Sequence, residues 1–147
     1  MVKFIPVLVV ALIAATLTGC TQPVALSAAP DAENKLCAEV VVRLPDTVGD
    51  AELRETNAQG TGAWGTPALA LLQCGVTVPE VSALECREFE GVEWLIDPSD
   101  PDLVTATTYG RDPAIRVAID KSVTGPGVIL ADLAGAVSVI PVTKACR

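Results

Sequence analysis

The chain has 147 residues, with 18 acidic and 10 basic side chains, a formal charge of −8 and no histidine. This length suits one domain, and the acidic balance argues against nucleic acid and against electrostatic docking to anionic lipids. Without imidazole, Ser-His-Asp and Cys-His catalysis and histidine-based zinc sites are excluded.

The first element is an apolar run, Phe4 to Leu17, that follows Lys3 and closes on Leu17-Thr18-Gly19-Cys20. A basic start, an apolar core and small residues before the cut make an export signal. The run falls short of the roughly 20 apolar residues of a spanning helix, and polar Thr21-Gln22-Pro23 follows at once. Residues 1–19 are therefore expected to be a lipoprotein signal peptide, with Cys20 lipidated and the remainder held on the outer face of the plasma membrane. All 18 acidic residues and 9 of the 10 basic ones follow residue 19, so the mature part carries 9 − 18 = −9. The membrane partner is then reached through acyl chains on Cys20, not through charge.

Residues 20–36, rich in Ala, Pro, Ser and Thr, read as a flexible tether, and residues 37–147 as a single globular domain. Within it, Val40, Val42 and Leu44 alternate with Glu39, Val41 and Arg43, which predicts a strand. Residues 49–57 suit one or two helical turns capped by Asp50. Gly60-Thr61-Gly62 reads as a turn, since it lacks the Lys-Ser/Thr of a phosphate loop. Ala68 to Cys74 is a second strand. Three more, Val92–Ile96, Leu103–Tyr109 and Ile115–Ile119, are joined by the turns at residues 97–102 and 110–113 into an antiparallel meander. The period then changes: Ile129, Leu130, Leu133, Ala134 and Val137 share a helical face, with Pro126 in the first turn. The expected fold is α+β, an antiparallel sheet of about five strands with the C-terminal helix on one face.

Ala63-Trp64-Gly65-x-Pro67-Ala68 leading to Cys74-Gly75-Val76, then Gly91-Val92-x-Trp94, then Tyr109-Gly110-Arg111-x-Pro113-Ala114 resemble the actinobacterial proteins grouped as domain of unknown function 3515. The resemblance covers Cys37 to Cys146. It implies an actinobacterial envelope protein and carries over no catalytic residue.

Four cysteines remain after Cys20, and an even number in an exported domain reads as two disulfides. The expected pairs are Cys74 with Cys86, bracketing a loop, and Cys37 with Cys146, joining the domain's ends. Asp97, Asp100 and Asp102 lack the glycine and terminal glutamate of a calcium loop and read as a solvated acidic turn, so no metal and no cofactor is expected. Glu85, Glu88, Glu90 and Glu93 read as an acidic rim rather than the paired carboxylates of a glycosidase. Trp64, Tyr109 and Arg111 are the candidate ligand-binding set, because aromatic faces stack on rings and a guanidinium grips carboxylate or phosphate. The competing reading has Trp64 and Trp94 filling the core and Arg111 closing a turn.

No catalytic constellation is expected. The function expected is a non-catalytic lipoprotein that binds a ligand, an envelope protein or a cell-wall component. The alternatives are an assembly accessory without a small-molecule site and a hydrolase using carboxylates alone.

Overall fold

The structure, a computed structural model, describes residues 21–80, 82–123 and 125–146; the expected signal peptide and Cys20 lie outside them. Eight strands form one antiparallel sheet: β1 (Thr47–Val48), β2 (Ala51–Arg54), β3 (Thr61–Trp64), β4 (Ala70–Val76), β5 (Glu85–Phe89), β6 (Val92–Asp97), β7 (Leu103–Thr108) and β8 (Ala114–Asp120). Their order across the sheet is β1-β2-β3-β4-β8-β7-β6-β5. Two meanders, β1 to β4 and β5 to β8, are thus sewn together where β4 pairs with β8. Helix α1 spans Lys35–Val41 and α2 spans Pro126–Val137.

The expected class holds, an antiparallel sheet with a C-terminal helix and two disulfides, but with eight strands. The predicted meander is present as β6, β7 and β8, and α2 covers the predicted helical segment. Inward residues follow the period of two: Ala70, Leu72 and Cys74 on β4 stand opposite Ile119, Val117 and Ile115 on β8, and all six are fully buried. Burying one large aliphatic side chain contributes roughly 1.5–3 kcal/mol, so Leu72, Ile115, Val117 and Ile119 make this central pair a firm part of the sheet's core. Ile129, Leu130, Leu133, Ala134 and Val137 of α2 close the same cluster. Helix α2 touches both β1 and β5, the outermost strands, so the sheet curls around it. Gly127 sits against the Phe89 ring of β5, while the Asp132 carboxylate accepts from Gly49 N–H, 2.7 Å away, in the β1–β2 turn.

Four expectations need correction. The Val40–Leu44 strand belongs instead to α1 and its exit: Val40 is buried but Val42 is 77% exposed. A seven-residue helix is marginal alone, so tertiary fixings override the β-branched run. Asn34 caps it, its side-chain oxygen accepting from Leu36 N–H at 3.0 Å, and Cys37 and Val40 are buried from its inner face. Residues 51–54 are strand β2 rather than helix. Gly49-Asp50 makes a two-residue hairpin turn between paired Val48 and Ala51, and Leu53 pairs with Trp64.

The third correction concerns residues 21–34, which do not form a free tether. They lie along the domain through Val24 N–H to Glu55 O (2.9 Å), Asn57 N–H to Val24 O (3.2 Å) and Asp31 N–H to Gly75 O (3.0 Å). Ala32 is buried. The fourth is the disulfide map: Cys37 bonds to Cys74 and Cys86 to Cys146. Cys86 lies on β5, four strand steps from β4, roughly 19 Å along the sheet at about 4.8 Å per step, beyond the roughly 7 Å that a disulfide spans. As a helix, α1 brings Cys37 over β4 and its inward-facing Cys74.

Candidate functional site

Trp64, Tyr109 and Arg111 do not converge. Trp64 is on β3 and Tyr109 follows β7, three strand steps away, roughly 14 Å across the sheet. Trp64 is level with Val104 through Ala70 and Ile119, five residues short of Tyr109, or roughly 17 Å along the strand. The two therefore lie at opposite ends of the sheet.

Trp64 is fully buried, and its indole Nε1–H donates to Pro45 O at 3.0 Å. It is a core residue that anchors the chain between α1 and β1. Trp94 is also fully buried.

Arg111 is 4% exposed, and it fastens the C-terminal segment. Its guanidinium donates to Ile140 O and, at 3.4 Å, to Gly91 O. Burial lowers its pKa, and the nearby Glu93 carboxylate opposes that shift. Arg111 also bridges Val142 through the backbone, and Thr143 N–H donates to Gly110 O at 2.7 Å. Gly110 has φ +68, and a Cβ there would overlap the Lys144 carbonyl, so only glycine fits. The Lys144 ammonium lies 5.4 Å from the centre of the Tyr109 ring, a cation–π contact. The two terminal guanidinium nitrogens thus bond backbone carbonyls while the buried Nε has no partner among the described residues, and Lys144 lies over the Tyr109 ring, an arrangement that fastens the tail.

Cys86, Glu93 and Cys146 place potential metal-ligand atoms within 4.8 Å of one another, but the two sulfurs are bonded to each other and cannot act as thiolates. Glu93 instead accepts from Cys146 N–H at 2.8 Å. Glu85, Glu88 and Glu90 are exposed, as expected of an acidic rim. In the turn at residues 97–102, Asp97 accepts from Ser99 N–H at 2.9 Å, and Asp100 from Asp102 and Leu103 N–H at 2.8 and 2.9 Å. Hydrogen bonding from the Ser99 side chain, and then from its backbone N–H, holds the Asp97 carboxyl below its ordinary pKa. Lys121 Nζ closes the turn on Pro98 O at 2.9 Å and on Asp100 O. The carboxylates fold the loop instead of facing a shared centre.

The concave feature lies at the Trp64 end of the sheet. A cleft of about 1420 Å³ runs between the β1–β2 hairpin, the Gly65–Leu69 turn, the segment after β8 and the start of α2. This exceeds the roughly 300–1,000 Å³ of a typical small-molecule pocket. Gly65 shapes its wall. Its φ of +91 is one that residues with a side chain adopt only with strain, and a Cβ there would lie a tight 3.0 Å from Leu69 Cγ and from Pro67 O. The apolar wall is Leu53, Pro67, Leu69, Val123 and Val128; the polar one has Asp50, Glu52, Glu55, Asp120 and Asp132 with the single cation Arg54. Arg54 donates to Gly65 O at 3.1 Å and Gln22 O at 3.2 Å, which fixes two cleft walls together.

Asp120 accepts from Ser122 N–H at 2.7 Å, and its hydrogen bonds with Ser122 lower its pKa. A carboxyl held ionised in this way does not serve as a general acid near neutrality. None of the five cleft carboxylates is buried.

Sequence reasoning singled out the Trp-Gly-x-Pro-Ala motif for its aromatic ring. The structure turns that ring inward and gives the following residues, Gly65 to Ala68, to the cleft. The usable signal was the glycine and proline turn. Thr21, Gln22 and α2 carry no local mark of a site, because only folding brings them beside residues 49–55 and 65–69.

No curated protein and no solved structure matches the chain. The family model described as protein of unknown function (DUF3515) matches residues 2–144, so the chain belongs to that family.

Proposed function

We propose that this protein is an exported, lipid-anchored module of the cell envelope that binds a ligand or partner in the cleft at the Trp64 end and performs no catalysis. The observation that carries the reading is the cleft itself. It opens immediately after Trp64, mixes an apolar wall with oriented polar groups, and is held open by a glycine turn and the Arg54 bonds. Such mixed, preformed concavity is the usual shape of a binding site. A carboxylate hydrolase would need one acid with a raised pKa facing a second across the site, whereas the Asp120 pKa is shifted downwards. Two disulfides support an oxidising compartment.

A photo-crosslinking residue at Ala68, on the cleft wall, is expected to give a specific adduct in producing cells. The same residue at Val42, exposed and absent from the cleft lining, is expected to give none. Identical adducts from both positions, or none from Ala68, would count against the cleft as the binding site.

Anchoring is tested separately. Stable attachment takes two acyl chains or equivalent signals, so Cys20→Ala is expected to leave the precursor unlipidated and to move the protein out of the membrane fraction. A Cys20→Ala protein wholly retained with the membrane would refute lipid anchoring.

A further inference from the structure

We infer that the domain lies on the bilayer with its cleft end down, Leu53 and Val128 touching the lipid surface, so that the cleft opens onto the membrane rather than into the aqueous envelope. The inference rests on the proposed lipidation of Cys20 and adds an orientation to it.

Two observations carry it, and the charge of the face sets its lipid preference. The first is where the chain leaves the domain. Thr21 and Gln22 are part of the cleft wall, and the residues after them are strapped down. Gln22 O accepts from Arg54, Val24 exchanges backbone bonds with Glu55 and Asn57, Leu26 N–H donates to Asn57 Oδ1 at 2.8 Å, and Ser27 O accepts from Gln73 Nε2 at 2.8 Å. Cys20 lies one Cα step of about 3.8 Å from Thr21. A lipid on that residue enters the bilayer with no free segment to lift the domain away, and the nearest face is the cleft mouth.

The second observation is the rim. Among the described residues, five large apolar side chains are exposed: Val42, Leu53, Leu84, Val128 and Val142. Leu53 and Val128 both line this cleft, at 37% and 55% exposure. They sit on β2 and on the first turn of α2. An isolated exposed aliphatic needs no explanation, but two on one rim beside the anchor point offer an apolar footing. Tethering raises their effective concentration at the surface far above that of a free domain.

Charge decides which lipid the face tolerates. The lining holds five carboxylates, and its one guanidinium is occupied by the Gly65 and Gln22 carbonyls. No cation is therefore free to grip phosphate, and the contact is apolar rather than electrostatic. It should be weaker on anionic lipid, by like-charge repulsion screened within about 10 Å at 0.1 M salt.

The test separates orientation from biological lipidation. The mature chain, whose other four cysteines are paired, is coupled through the Cys20 thiol to a maleimide lipid in phosphatidylcholine vesicles. Its amide hydrogen exchange is compared with that of the same chain capped by a soluble maleimide. Residues 49–53, 65–69 and 125–129 are expected to exchange several-fold more slowly on vesicles, with residues 35–41 and 142–146 unchanged. The protection should shrink on phosphatidylglycerol vesicles. It should be lost in Leu53→Asp/Val128→Asp while exchange in residues 115–119 shows the core intact.

Equal exchange at the cleft end on and off vesicles would overturn the orientation. So would protection at the tail end instead, or protection that survives the double variant. Because the lipid is attached chemically, none of these outcomes depends on whether a cell lipidates Cys20; fractionation of Cys20→Ala decides that question alone.

Discussion

Replacing both members of either disulfide with alanine is expected to cost about 4 kcal/mol, read from denaturant midpoints against the unaltered mature chain. The two bonds close loops of sequence separation 37 and 60. In the chain-entropy account these separations give about 4 kcal/mol each, with slow growth in loop length. Against a domain stability of about 5–15 kcal/mol, losing one bond weakens the fold severely and losing both unfolds it. The bonds should also open in order. Cys37 and Cys74 are fully buried, whereas Cys86 and Cys146 are half-buried, so a mild reductant reaches Cys86–Cys146 first. Opening that bond frees the tail from β5 but leaves Arg111 and the Thr143–Gly110 pairing to hold it. Mass spectrometry after partial reduction and alkylation should find labelled Cys86 and Cys146 while Cys37 and Cys74 stay linked. A peptide linking Cys74 to Cys86 would overturn the map.

Trp64→Ala is expected to be the costliest single substitution in the sheet. Its ring is fully buried and its Nε1–H is bonded to Pro45 O. Removing a buried large aromatic costs roughly 3–5 kcal/mol, which lowers the melting temperature by roughly 10–20 °C for a domain of this size. Trp64→Phe keeps most of the volume and abandons the Pro45 carbonyl, so it should cost less than the alanine variant. The control is Leu53→Asp: this residue pairs with Trp64 across β2 and β3, but its side chain is partly exposed at the cleft rim. Because Leu53 keeps more than a third of its surface in solvent and Trp64 none, the aspartate variant should cost less than Trp64→Ala. Thermal melts of the three variants check the contrast. If Trp64→Ala melted like the unaltered protein, the ring would not be the core anchor that its burial makes it.

The patterns that survived folding are those in which one local period coincides with a buried face. Val92 and Trp94 on β6 flank half-buried Glu93, and Ile115, Val117 and Ile119 on β8 alternate with exposed Arg116 and half-buried Ala118; each of the five is fully buried in the sheet. The Ile129, Leu130, Leu133, Ala134 and Val137 stripe keeps helical spacing, begins with proline in its first turn and packs inward. Both segments are long enough that pattern and propensity agree. The core reading of the tryptophans was also legible, because a chain with so few aromatic residues places them in its interior; Arg111, read as closing a turn, instead fastens the distant C-terminal segment.

What the sequence by itself determined is therefore the meander, the C-terminal helix, the presence of an even cysteine set and the absence of imidazole chemistry. Tertiary structure decided the rest, wherever a short segment has little stability of its own. Val40 to Val42 are β-branched, yet the segment ending at Val41 is helical, because Asn34 caps it and Cys37 is bonded beneath it to Cys74. Residues 51–54 became a strand because β1 and β3 supply partners for their backbone groups. The disulfide map follows the order of strands, in which β5 lies at the far edge from β4; that order is a long-range property that no spacing of cysteines encodes. The cleft was illegible for the same reason. Its walls come from residues 21–22, 48–55 and 65–69, from 120, 122, 123 and 125, and from 128, 129 and 132, five separate stretches that meet only when the sheet curls around α2 and buries its apolar face.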